Sequence, residues 1–147
     1  MRLLIIAVGH KMPDWVSMAY QEYSKRMPPD CAVDLKELKP DISPSKEAVK
    51  ILAAIPKNTL VIALDEHGKD MNTKELANQL TYWRDTGKDI VFLIGGADGL
   101  DTTLKSNDTP LWRLSSLTLP HAFARLLLIE QLYRAWTILQ GHPYHRE

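Results

Sequence analysis

The sequence predicts an α/β fold built around a parallel β-sheet. Its hydrophobic residues fall into short unbroken runs, such as residues 3–8, 60–64 and 90–94, which is the pattern of strands buried on both faces. Segments with apolar residues at helical spacing separate these runs, as in sheets whose parallel strands are connected by helices. No repeat, low-complexity tract or linker interrupts the pattern, so we expect a single domain over residues 1–147.

The first half of the chain supplies two strands and two helices. The run at residues 3–8 is too short for a signal peptide or a membrane span, so it is a predicted strand. Apolar residues at helical spacing follow: Val16, Ala19, Tyr20, Tyr23 and Met27. Residues 33–35 alternate between apolar and charged, which is typical of a half-buried edge strand. Ser43 followed by Pro44 then predicts the start of a second helix. We expect that helix to bury Ala48, Ile51, Leu52 and Ile55.

The second half continues the alternation. Residues 60–64 are a predicted buried strand, and Asn72 with Glu75 three residues later indicates a capping box. The helix that follows should bury Leu76, Leu80 and Trp83, and Gly87 should end it. Residues 90–94 are a further strand, and residues 111–114 a short fifth one.

The last predicted helix, His121–Gln140, is unusually apolar. Its hydrophobic residues are Phe123, Leu126, Leu127, Leu128, Ile129, Leu132, Tyr133, Trp136, Ile138 and Leu139. They extend well beyond the stripe of a surface helix, so the helix should be buried on two sides. A central helix within one domain and a subunit interface both satisfy this pattern, and we favour the interface.

Composition limits the kinds of partner. The chain has 18 Lys and Arg against 18 Asp and Glu, and its pI is near 7.0, which counts against binding bare nucleic acid through a broad basic face. Its one cysteine, Cys31, and the lack of Cys and His at metal-ligand spacing argue against disulfides and a structural zinc. We therefore expect a cytoplasmic protein with no metal and no membrane segment.

Two loops follow predicted strands, where open α/β sheets bind ligands. Gly95, Gly96 and Gly99 lack the G-x-G-x-x-G spacing of a dinucleotide site, and a tight turn with positive φ is the alternative explanation. Residues 114–120 combine hydroxyls with leucines, which suits a ligand with a polar edge and an aromatic ring. The alternative for this loop is a simple connection with Ser or Thr capping the last helix.

The last helix and the residues after it carry further candidates. His121 follows Pro120 at the helix start, where capping is the alternative role. Glu130 and Arg134 are four residues apart, so they form either an ion pair or an arginine held beside a substrate. The terminal residues 141–147 are rich in Tyr, His and Arg, which is unusual for a segment that ordinarily frays.

Taken together, these motifs resemble the RlmH family, which belongs to the SPOUT class of RNA methyltransferases. The resemblance covers essentially the whole chain and rests on residues 8–15, 93–99, 115–121, 130–135 and 142–147. One departure is visible between residues 38 and 55, where this chain is shorter. The lysine-rich stretch of many relatives is reduced there to Lys39, Lys46 and Lys50.

The resemblance implies an α/β knot, in which the C-terminal segment forms a trefoil, and an obligate homodimer. It implies methylation by S-adenosylmethionine of N3 of a pseudouridine in helix 69 of 23S ribosomal RNA, on the assembled ribosome. The implied cofactor residues are Leu64, Gly96, Ser115, Ser116, Leu117, Thr118, Leu119 and Pro120. Glycine would let the backbone approach the ligand closely.

The same resemblance suggests catalytic candidates for deprotonating N3 and holding the resulting anion. They are Glu130, Arg134, Tyr144, His145, Arg146 and His121, and the sequence does not say which is the general base. A non-catalytic ribosome assembly factor on the same fold stays open as an alternative. A Rossmann-type oxidoreductase is disfavoured because the G-x-G-x-x-G motif and its acidic partner are missing.

Overall fold

The computed structural model describes residues 1–106 and 108–146 and contains a five-stranded parallel sheet. The strands are β1 (Leu3–Val8), β2 (Val33–Leu38), β3 (Thr59–Asp70), β4 (Asp89–Ile94) and β5 (Leu111–Arg113). Their order across the sheet is β2-β1-β4-β3-β5, and each of these pairings is parallel. The predicted α/β fold with a parallel sheet is confirmed, and β2 lies at an edge as its alternating pattern indicated.

Three helices connect strands and a fourth follows β5, and the capping signals predicted for the second and third helices are present. The helices are α1 (Asp14–Arg26), α2 (Pro44–Ala54), α3 (Thr73–Thr86) and α4 (His121–Gln140). The Ser43 hydroxyl accepts the backbone N–H of Lys46, and the Asn72 side chain accepts that of Glu75 at 2.8 Å. Gly87 ends α3 with a φ of 73°, a conformation that glycine adopts at little cost. Short 3₁₀ turns occupy Pro29–Cys31, Thr102–Leu104 and Pro143–Arg146.

The sheet is covered on both faces, which explains its unbroken apolar strands. Ile5 and Phe92 point to the core shared with α1, α3 and α4. Their chain neighbours Ile6 and Leu93 point the other way, into a smaller cluster with α2. Because successive side chains of a strand alternate between faces, each strand needs apolar residues at every position here.

Helix α4 is buried on two sides within one chain, because it packs against both α1 and α3 and lies over β4. Leu128, Ile129 and Leu132 are among its fully buried side chains. This arrangement covers much of the apolar surface that suggested a subunit interface. The case for an interface must therefore rest on the apolar side chains that stay exposed.

Two local expectations were wrong. Leu52 is 55% exposed, whereas Ala48 and Ile51 carry the buried face of α2. Strand β3 continues to Asp70, beyond the predicted residues 60–64, because its far end pairs with β5. That extension is polar, so hydrophobic periodicity did not detect it.

Candidate functional site

A cavity of about 710 Å³ opens at the carboxyl ends of β3, β4 and β5. Residues 64–67 of β3 form one wall, at the point where its pairing with β5 is interrupted. The loop at residues 95–99 forms a second wall, and residues 114–119 form a third. Ligands bind at this edge in open α/β sheets, and the volume is in the usual range for small-molecule sites.

The glycine loop is a tight turn, as the alternative explanation predicted, and it also lines the cavity. Gly99 has a φ of 78°, and its backbone N–H donates to the carbonyl of Gly96 at 3.0 Å. A Cβ on Gly95 would lie 2.6 Å from the carbonyl carbon of Gly99. Two of the three glycines are thus required by the turn itself.

The third glycine, Gly96, lines the cavity and also packs closely against α2. A Cβ there would lie 3.1 and 3.2 Å from the two carboxylate oxygens of Glu47, and 3.3 Å from Val8. Glu47 is buried, and its carboxylate accepts the backbone N–H of Asp41 at 2.9 Å. Sequence reasoning missed Glu47, although a carboxylate beside Ala48 on the buried face of α2 was a visible signal.

The loop before α4 contributes most, but not all, of its predicted residues to the cavity. Those that line it, together with the end of β3 and the glycine loop, are Leu64, Gly96, Ser115, Leu117, Thr118 and Leu119. Ser116 and Pro120 belong to the same loop but are exposed and do not line the cavity. The hydroxyl of Ser115 accepts the backbone N–H of Leu117 at 2.9 Å. Among the described residues no side chain caps α4, so the capping alternative does not apply.

An ion pair between Asp65 and Lys105 lies in the cavity wall. The Lys105 ammonium is 2.9 Å from Asp65 Oδ2, and the backbone N–H of His67 donates to Oδ1 at 2.8 Å. The Asp65 side chain is 7% exposed and that of Lys105 24%. Burial acts to raise the pKa of Asp65, but these two donors outweigh it and hold the pKa below its usual value. The carboxylate is therefore ionised at neutral pH.

A second polar cluster lies on α4 and the segment after it. Arg134 Nη2 is 3.0 Å from Glu130 Oε2, so these residues form the half-buried ion pair that their spacing suggested. The Tyr144 hydroxyl lies 3.2 Å from Glu130 Oε2 and 2.9 Å from the Tyr23 hydroxyl. The Arg134 guanidinium also lies 5.0 Å from the centre of the Tyr144 ring.

The environment of this cluster fixes its protonation. Burial, the hydrogen bond with Tyr23 and the charge of Glu130 all raise the pKa of Tyr144. Hydrogen bonds to Glu130 raise the pKa of Arg134. At neutral pH the phenol is protonated and the arginine is charged, so Tyr144 in this arrangement is a hydrogen-bond donor rather than a base.

The predicted catalytic residues are divided between these two places. His121 lines the cavity, whereas Glu130 lies nine residues further along α4, a rise of about 13 Å. His145 is half-buried, and its Nδ1 has no partner among the described residues. Arg146 is exposed, and Glu147 lies outside the described residues. One chain therefore does not bring the cavity and the C-terminal cluster together.

Sequence reasoning missed a buried arginine near the start of α4. Arg125 is 1% exposed, and its Nη1 lies 2.6 Å from Glu37 Oε2 at the end of β2. Its Nε and Nη2, like the hydroxyl of Tyr20, are buried without a partner in the described part of the chain. A Cβ on Gly9 would lie 2.7 Å from Nη2, so that glycine makes room for the guanidinium.

Within residues 1–106 and 108–146 no three His, Cys, Asp or Glu side chains are grouped so as to hold a metal ion. The same residues contain no helix that is long and apolar enough to span a membrane.

Known proteins resemble this chain along essentially its whole length. Residues 1–145 match the family model described as a predicted SPOUT methyltransferase. Ribosomal RNA large subunit methyltransferase H of Polynucleobacter asymbioticus is 70% identical over 147 residues, which cover 100% of both chains. The protein of the same name from Paraburkholderia phymatum is 56% identical over 155 residues, covering 99% of each chain.

A solved structure described as a probable methylase family protein from Haemophilus influenzae Rd KW20 shares the fold. Its TM-score is 0.57 at 15% sequence identity, over 97% of this chain and 69% of that one. The family model and the full-length relatives together show that this chain belongs to the SPOUT methyltransferase family.

Proposed function

We propose that this chain, as a single domain over residues 1–147, uses S-adenosylmethionine to methylate large-subunit ribosomal RNA. The observation that carries the proposal is the cavity enclosed by β3 and two loops at the carboxyl ends of the strands. The relatives' name supplies the class of substrate.

The cavity suits this cofactor in shape and chemistry. Leu64, Leu117 and Leu119 offer apolar surface for the adenine ring, and the backbone of the glycine loop offers N–H and carbonyl groups. Charged side chains of the wall suit the amino-acid end of the molecule. When bound, S-adenosylmethionine supplies a methyl group on a positively charged sulfur.

The finer proposal is that the methyl acceptor is N3 of a pseudouridine in helix 69 of 23S ribosomal RNA. N3 of a neutral base carries a proton, so a base must remove it, and a nearby cation must stabilise the anion that results. Arg134 and Arg146 are our candidates for the cation. Glu130, His121 and His145 are candidates for the base, with Tyr144 as a donor that orients the target.

We further propose that the active site is shared between the two subunits of a homodimer. Helices α1 and α4 both run from the carboxyl ends of the strands, where the cavity opens, towards the amino ends of the strands, where Tyr144 packs. A two-fold partner in the opposite orientation would bring its C-terminal cluster to this chain's cavity. Exposed aromatic residues on the outer faces of these helices, Trp15 at 61% and Phe123 at 44%, suit the contact.

The chain's neutral charge bears on the form of the substrate. A protein with no net charge gains little from the electrostatic term that dominates binding to bare RNA. We therefore propose that it acts on the assembled ribosome, in the cytoplasm, and recognises local shape and protein contacts.

A complementation experiment tests the shared site. One chain lacks residues 144–147, and the other carries Thr118→Trp, which fills the cavity. We expect each homodimer to be inactive on ribosomes, and the mixed heterodimer to regain one working site of the two. Ser116→Trp is the matched control, because this exposed neighbour does not line the cavity.

Three outcomes would contradict parts of the proposal. If heterodimers form and stay inactive, the C-terminal segment acts within its own subunit. Should Arg146→Ala, which removes an exposed side chain without disturbing packing, keep full activity, Arg146 has no role as a cation. A chain that binds ribosomes but shows no affinity for S-adenosylmethionine would favour the non-catalytic assembly factor.

A further inference from the structure

The charged groups in the cavity wall are arranged with opposite signs side by side. Asp65 and Lys105 face each other at 2.9 Å, and both line the cavity. Asp65 lies in β3, and Lys105 follows the 3₁₀ turn at Thr102–Leu104, 40 positions further along the chain. Burying these charges carries a desolvation cost, and their mutual attraction alone offsets that cost poorly. A purely structural role therefore explains the pair poorly.

We propose that this pair binds the amino-acid end of S-adenosylmethionine, with Lys105 contacting its carboxylate and Asp65 contacting its ammonium group. The inference rests on the proposed function, because it assumes that the cavity holds this cofactor. It assigns the carboxylate and the ammonium group of the ligand to two side chains that lie outside both the glycine loop and residues 114–120.

Both side chains have hydrogen-bonding capacity left for a ligand. An ammonium group has three donors, and within residues 1–106 and 108–146 the one side-chain partner of Lys105 is Asp65. The Asp65 carboxylate accepts one bond at each oxygen, whereas two oxygens offer about four acceptor sites. The ionised state of Asp65 at neutral pH matches the positive charge that it would contact.

The other basic side chains of the cavity wall are less suited to the carboxylate. Arg113 is engaged by Asp70 through Nε and Nη2, at 2.8 and 2.7 Å, and Asp70 is mostly exposed. His67 is exposed, and its ring lies 3.3 Å from the carboxylate of its neighbour Glu66. Lys105 is slightly more buried than Arg113, at 24% against 30% exposure, and its carboxylate partner is far more buried than Asp70, so a charge placed beside Lys105 is screened less by water.

Binding measurements with three ligands separate the two contacts. The probes are S-adenosylmethionine, its decarboxylated form, which keeps the ammonium group, and methylthioadenosine, which has neither charged group. In Lys105→Met we expect affinity for S-adenosylmethionine to fall by roughly 10- to 100-fold, as for the loss of a hydrogen bond between charged groups. Affinity for the other two ligands should stay within about twofold.

Asp65→Asn should behave differently, because the ammonium group is present in two of the three probes. We expect weaker binding of S-adenosylmethionine and of its decarboxylated form, with methylthioadenosine unchanged. Arg113→Met is the matched control, and it should keep the wild-type preference for the carboxylated ligand. Calorimetry on the full chain measures all three affinities without any methylation.

The outcomes distinguish this inference from the function on which it rests. Equal weakening of all three ligands in Lys105→Met would mean that the pair only supports the wall, and would overturn the assignment. If Arg113→Met instead loses the preference for S-adenosylmethionine over its decarboxylated form, Arg113 rather than Lys105 contacts the carboxylate. A wild-type chain that binds none of the probes would refute the proposed function itself.

Discussion

At the scale of single residues, the guanidinium of Arg125 is the group whose burial is hardest to compensate. It is 1% exposed, it has one carboxylate partner in Glu37, and two of its nitrogens are unpaired among the described residues. The Tyr20 hydroxyl is also buried without a partner there, and burial raises the pKa of this phenol. Removing the partner of a buried charge costs more than the pair contributes, because the remaining charge stays desolvated.

Substitutions around Arg125 should therefore change stability in opposite directions. Glu37→Gln should lower the free energy of unfolding by about 3 kcal/mol, since it leaves the buried guanidinium without a counter-charge. Tyr20→Phe should raise it by up to about 1 kcal/mol, because it removes a buried hydroxyl that has no partner. Urea unfolding at one fixed protein concentration measures both. If Tyr20→Phe destabilises the protein instead, a water molecule or another group forms a hydrogen bond with the Tyr20 hydroxyl.

Sequence analysis found ion pairs whose partners are close along the chain and missed those whose partners are far apart along it. Glu130 and Arg134 are one helical turn apart, so their pairing was visible as a local spacing. Lys105 meets Asp65 across 40 positions, and Arg125 meets Glu37 across 88. No local pattern marks such contacts, because they exist only once the fold has brought these distant segments together.

At the scale of elements, the junction of β3 and β5 controls the shape of the cavity. Their pairing shifts register between Leu64 and Lys69, and the irregular segment between them forms one wall. Gly68 lies within that segment. A Cβ on it would meet the backbone of Trp112 at 2.5 to 2.7 Å, so the close approach of the two strands depends on this glycine.

Gly68→Ala tests this dependence. We expect it to lower the free energy of unfolding by about 2 to 3 kcal/mol, because the methyl group would collide with backbone that cannot rotate away. Lys69→Ala is the control, since its side chain is exposed, and its effect should stay within about 0.5 kcal/mol. A Gly68→Ala protein as stable as wild type would mean that β5 can shift at little cost.

Among the elements, α3 was predicted well from local signals, whereas β3 and α4 were predicted only in part. The limits of α3 followed from Asn72 and Gly87, whose side-chain and backbone chemistry act within one turn of the helix. The polar end of β3 is held by β5 and has no hydrophobic signature of its own. Likewise, the pattern of α4 showed burial on two sides but did not show that α1 and α3 provide it.

At the scale of the whole molecule, the sequence pattern predicted the parallel sheet but not its further topology. The SPOUT family implies a C-terminal knot, whereas general rules of chain topology argue against any knot. Only the family resemblance could supply that expectation. The assembly state is likewise a proposal, supported by exposed Trp15, Met18 and Phe123 on neighbouring helices.

Charge introduced on that surface tests the dimer. Trp15 and Phe123 pack edge to face with ring centres 5.8 Å apart, so one substitution disturbs both. Trp15→Glu should give monomers by light scattering at micromolar concentration, because a buried unpaired carboxylate is costly in an interface. Leu52→Glu, on the exposed face of α2, should leave the dimer intact. A monomeric wild-type chain under the same conditions would refute the dimer and the shared site.

The strand order also determines how slowly this chain can reach its native state. The central pairing joins β1 to β4, so Leu3 must pair with Ile90, which lies 87 positions further along a chain of 147 residues. Contacts of such large separation lower the folding rate, because the loop between them must be closed before the pairing stabilises it. Helix α4, one of the three helices that cover Ile5 and Phe92, comes later still. A folding intermediate without α4 would expose a broad apolar sheet face, and such species aggregate unless chaperones shield them.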